Sequence, residues 1–130
     1  MLTGCPGGSS SNNNPPANNG SAPGSLAGRT INVSVNGGSL PFSSTGTYVF
    51  TPAGNGTSGT YQLEGTGGVQ SNIGSYNYST TGASTASLVE TEQSGTIVNN
   101  TLVFQTATSG TISSSSPNAG GNETGTFTIN

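Results

Sequence analysis

The stretch Thr57-Ser58-Gly59-Thr60-Tyr61-Gln62-Leu63-Glu64 decides the fold. Tyr61 and Leu63 are large and water-averse, while Thr60, Gln62 and Glu64 around them are polar. A period of two places the two sets on opposite faces of a β-strand with one face buried. The alternation recurs at Ile31, Val33 and Val35, at Tyr48 and Phe50, and at Tyr76 and Tyr78. Later pairs are Ala86 and Leu88, Leu102 and Phe104, and Phe127 and Ile129. No window repeats apolar residues at helical spacing, so no long helix is expected.

A short motif accompanies these strands: a polar turn, Gly, Thr or Ser, then a large apolar residue. It reads STGTY at 44–48, TSGTY at 57–61, NIGSY at 72–76, QSGTI at 93–97, TSGTI at 108–112 and ETGTF at 123–127. Gly supplies the backbone freedom of tight turns. The motif is therefore read as a strand start, with its apolar residue facing inward. An extra strand near Thr85–Glu92 and a first one near Thr30–Val35 bring the total to about eight. Short links between successive strands favour an all-β, antiparallel up-and-down meander. Closing it into a small barrel removes its exposed edges, with a β-sandwich as the alternative. An eight-stranded barrel is filled by side chains or holds one small ligand. The inward residues suffice to fill it, so no large cavity is expected. Ile97 and Leu102 differ in parity, which calls for a bulge or a hairpin turn at Asn99-Asn100.

Charged residues make up 4% of the 130 residues, with a net charge of −3, where ordinary globular domains carry about 25%. Arg29 is the one basic side chain, so no nucleic-acid partner is expected, because counterion release from phosphates needs many Lys or Arg. Histidine is absent. That removes the commonest general base and the Ser-His-Asp arrangement. No Cys/His cluster for zinc exists. The carboxylates are Glu64, Glu90, Glu92 and Glu123. Glu90 and Glu92 share a strand face and read as solvated carboxylates at a strand end. The expectation is no catalytic residue, no metal site and no cofactor, hence no enzyme.

The head of the chain differs in composition. Residues 6–25 are mostly Gly, Ser, Asn and Pro, and the lone cysteine, Cys5, stands just before them. Such a segment cannot bury enough surface to order itself. The expected organisation is a signal-peptide and lipobox remnant at 1–5, a tether at 6–25 and a β-domain at 26–130. Leu2-Thr3-Gly4-Cys5 resembles a bacterial lipobox, which implies lipidation of Cys5 and a membrane partner through that anchor. Only Met1 precedes the tetrad, where an export signal has an apolar run of about 7–15 residues. The reading therefore expects a start upstream of Met1 or a trimmed chain.

From SLAGRTINVSV (25–35) through GTYVF (46–50) and GSYNYSTTGASTASLVE (74–90) to LVFQTATSGTIS (102–113), the chain resembles a small calycin-like β-domain of bacterial exported lipoproteins. The resemblance covers residues 25–130. It implies a barrel fold and an exported location at the cell envelope, on the outer membrane or the cell surface, and it implies no activity. Two functions stay open. One is a non-catalytic surface module for attachment or shielding, suggested by the uncharged exterior. The other is a binding domain for a small apolar or glycan ligand at the barrel mouth, contacted by Tyr48, Tyr61, Tyr76 and Tyr78.

Overall fold

Eight runs of alternating sequence become eight strands in the computed structural model, which describes residues 21–130. They are β1 (Ile31–Gly38), β2 (Thr47–Pro52), β3 (Ser58–Thr66), β4 (Asn72–Thr80), β5 (Thr85–Glu92), β6 (Ile97–Thr106), β7 (Ser109–Ser115) and β8 (Asn122–Ile129). Each pairs antiparallel with its neighbour in sequence, and β8 returns to β1 with Ile31 opposite Ile129. The meander is a closed barrel; the sandwich alternative falls. The described residues contain no helix. Cys5 and the tether as far as residue 20 lie outside the described residues.

Period two sorts the faces as expected. Every inward residue of the alternating pairs is buried, including Tyr48, Phe50, Leu88, Leu102 and Phe127, while Thr, Ser, Asn and Gln dominate the outer face. Each buried large side chain contributes roughly 1.5–3 kcal/mol, and one register slip would turn a whole strand inside out.

The motif glycines do more than make turns. Gly46 and Gly95 adopt positive φ where strands begin. Gly110 and Gly125, however, sit buried inside the barrel. Large rings lie opposite glycines across the sheet: Tyr48 faces Gly65, Tyr61 faces Gly74, Tyr76 faces Gly59, and Phe104 and Phe127 flank Gly110. A Cβ on Gly110 would collide with the Val103 carbonyl oxygen. Its absence lets Phe104 and Phe127 meet edge to face, with centroids 5.0 Å apart. The spacing of Gly and aromatic thus fills a narrow barrel by setting large against small across strands.

Two local expectations change. β6 runs unbroken through Asn99-Asn100, with Asn99 exposed and Asn100 buried, so there is neither bulge nor turn there. Val98 takes the inward position and Ile97 lies on the other face, only half-buried, so the QSGTI copy is offset by one residue. The register shifts lie elsewhere, between Val35 and Gly37 and between Phe104 and Thr106.

The segment ahead of β1 seals one end. Leu26 is fully buried in the core, and its amide donates to the Gly56 carbonyl at 2.9 Å. The Tyr78 hydroxyl donates to Pro23 O and the Tyr76 hydroxyl to Ala53 O, each at 2.6 Å. The Ala22 amide donates to Ala83 O at 3.0 Å. Packing against the barrel therefore begins by Ala22, within the stretch that composition assigns to the tether.

Candidate functional site

The other end of the barrel is open. Toward it, the inward positions of four adjacent strands change from apolar to polar. On β5, Ala86 and Leu88 give way to Glu90. On β6, Phe104 and Leu102 give way to Asn100. Ser114 follows Ile112 on β7, and Glu123 lies beyond Phe127 on β8. All four polar residues are buried. Register brings them side by side, with Asn100 opposite Ser114 and Ser114 opposite Glu123.

Asn100 organises the strip. Its amide nitrogen donates to Leu88 O at 2.9 Å and to Glu90 Oε2 at 3.1 Å, and its Oδ1 accepts from Ser114 Oγ at 2.5 Å. The Tyr48 hydroxyl reaches in from β2 and bonds Ser114. Both Asn100 donors are used, so the amide is pinned as a buried polar network requires. Glu123 is bonded to no side chain among the described residues, although only 6% of its surface is exposed.

The carboxyls are far from their ordinary acidity. Burial pushes Glu90 from 4.5 up to about 8, with the neighbouring Glu92 and Glu123 adding to the rise and the Asn100 hydrogen bond opposing it. Burial likewise pushes Glu123 up to about 7. Burial, then the charges of Glu90 and Glu123, holds the Tyr48 phenol well above its usual range. Removing an ionised carboxylate from water without a partner is unfavourable, and such a group keeps its proton instead. Glu90 and Glu92 were expected to be solvated at a strand end. For Glu90 that is corrected: its parity continues that of Ala86 and Leu88, and the closed barrel surrounds it. Glu92, two residues on, is only half-buried.

Above this strip lies a cavity of about 1040 Å³. A filled interior was expected, and it holds only for the sealed end. Leu63, Val69 and Val98 are apolar residues of its lining, set among Gln70, Ser71, Asn72, Gln93 and Thr96, and Leu40 and Phe42 overhang from the loop between β1 and β2. Leu40, at the rim, is 88% exposed. The loops around the opening are tied to one another. Thr45 Oγ1 donates to Gly67 O at 3.1 Å, Ser39 N to Asn122 O at 2.8 Å, and Asn118 Nδ2 to Gly95 O at 3.0 Å.

The four tyrosines separate. Tyr48 lines the cavity. Tyr61 is buried lower down, its hydroxyl donating to Asn72 Oδ1 at 2.6 Å. Tyr76 and Tyr78 point their hydroxyls to the sealed end. Burial pushes the Tyr78 phenol up to about 12, with Arg29 opposing. Sequence reasoning passed over Asn100, Ser114 and Glu123; carrying the parity of each strand two to four residues past its last apolar residue would have found them. Among the described residues no three His, Cys, Asp or Glu side chains converge to hold a metal ion. No family model, curated protein or solved structure matches the chain.

Proposed function

We propose that the chain is a non-catalytic binding domain that takes one small ligand into the open end of its barrel. It is exported and held at the bacterial cell envelope by lipid on Cys5. One observation carries the binding reading: a cavity of about 1040 Å³ at the open end, where Leu63, Val69 and Val98 stand among polar loop residues and buried polar side chains. Ligand pockets run to roughly 300–1,000 Å³ and combine apolar linings with a few converging polar groups. The lipid anchor is supported by Leu2-Thr3-Gly4-Cys5 and the polar stretch behind it. Mass spectrometry of the protein from its native membrane reads the anchor directly, as an added lipid mass on Cys5.

The binding test is an amide NMR titration with a panel of small amines, alcohols and sugars. The expected result is shifts confined to the mouth, around Val69, Val98 and Ser114, with none at Leu26 or Tyr78. A panel that moves nothing at the mouth refutes the binding reading. It would favour attachment or shielding, the role that the uncharged Thr- and Ser-rich exterior supports.

A further inference from the structure

Among the described residues the carboxyls at the cavity floor have no positively charged side chain beside them. Glu90, Glu92 and Glu123 all line the cavity. Arg29, the single basic side chain of the sequence, lies at the sealed end, where its Nε donates to Asn130 O at 3.3 Å. Glu123 is more than nine-tenths buried, lines the cavity and accepts no side-chain hydrogen bond among the described residues. Glu90 spends one oxygen on Asn100. A buried acceptor left without a donor is unfavourable, and here the vacant acceptors face a space of ligand size.

Building on the binding reading above, we infer that the ligand is an organic monocation. Its ammonium head sits against Glu123 and Glu90, and its apolar body lies along Leu63, Val69 and Val98. An ammonium brings three donors and the missing charge, and hydrogen bonds between ionised groups are the strong ones. The Tyr48 ring adds a surface that attracts cations. A bare metal ion fits poorly, since calcium asks for six to eight oxygens and the described carboxylates do not converge in threes. An anion would meet the carboxyls of Glu90 and Glu123 with no basic side chain beside them. The groups facing the ammonium that can titrate are Glu90 and Glu92 on β5, Glu123 on β8, Tyr48 on β2 and Tyr61 on β3. Because Glu90 and Glu123 hold their protons up to about 8 and about 7, a cation must displace protons to bind. Affinity therefore rises with pH through that range.

Calorimetry on the full chain with hexylammonium, 1-hexanol and hexanoate tests this. At about pH 8 hexylammonium should bind at least about tenfold tighter than hexanol. It should release protons, seen as a heat that depends on the buffer, and weaken by about tenfold or more near pH 5.5. Glu123→Gln should remove most of the preference for hexylammonium over hexanol, with a thermal melt confirming its fold. If that variant does not fold, Glu90→Gln and the pH dependence of the unaltered protein carry the test. Equal binding of hexanol and hexylammonium, or amine binding indifferent to pH, overturns the cation inference and leaves the binding reading standing. Binding of none of the three also overturns it, and the wider NMR panel then decides the binding reading separately.

Discussion

The two ends of this barrel are built from the same strands and differ in what they bury. At the sealed end Leu26, Phe50, Tyr76 and Phe104 are almost wholly buried, and every tyrosine hydroxyl there has a carbonyl partner. Phe50 and Tyr76 meet edge to face at 5.8 Å. At the open end Glu90, Asn100, Ser114 and Glu123 take the inward positions, and their hydrogen bonding stops short of Glu123. One end maximises apolar burial; the other gives stability away to keep polar groups dry around an open volume. Departures from good packing of this kind concentrate where a protein does its work.

The sealed end should dominate stability. Phe104→Ala empties a fully buried ring site and should destabilise by about 3–5 kcal/mol in a denaturant melt. Since net stabilities run near 5–15 kcal/mol, that loss brings the domain close to unfolding. A loss under about 1 kcal/mol would mean that the two ends do not differ as described.

The open end should announce itself through pH. Glu90 and Glu123 have folded-state values raised from 4.5 to about 8 and about 7. Below about 4.5 both folded and unfolded chains are protonated and nothing is lost. As pH climbs, the unfolded chain releases protons that the folded chain keeps, so stability falls until about pH 8 and then levels. The drop should be about 5 kcal/mol, most of it from the fully buried Glu90. Urea melts across this range check it, and Glu90→Gln should flatten the curve and raise stability at pH 8. A curve that is flat or rises with pH removes the contrast between the ends.

Next in size is Gly110→Ala. The added methyl strikes the Val103 backbone and parts Phe104 from Phe127, which should destabilise by about 1–3 kcal/mol. Smallest is Thr101→Ala on the exposed face of β6, within about 0.5 kcal/mol of the parent. If Gly110→Ala behaves like Thr101→Ala, the pairing of glycine with aromatic does not shape the barrel.

What could be read in the sequence follows from the same contrast. Tyr61 and Leu63, or Leu102 and Phe104, declare an inward face because period two is a local signal that burial amplifies. The sealed end is made of such residues and was legible, apart from Leu26, whose role depends on the turn at Gly56 it packs against. The open end was not. Glu90, Asn100, Ser114 and Glu123 look like surface residues in any short window, and they come from four strands that only barrel closure brings together. Glu90 carried a hint in its parity with Ala86 and Leu88, but its polarity argued for solvent. Gly110 and Gly125 read as turn residues because the need for a missing side chain arises across strands.

The most direct test of the account is a side-chain carboxyl NMR titration of the free domain. It should find Glu90 titrating near pH 8 and Glu123 near pH 7. Midpoints for both near 4.5 would contradict it, because the cavity floor would then be open to water and no buried, unpartnered carboxyl would wait there for a ligand.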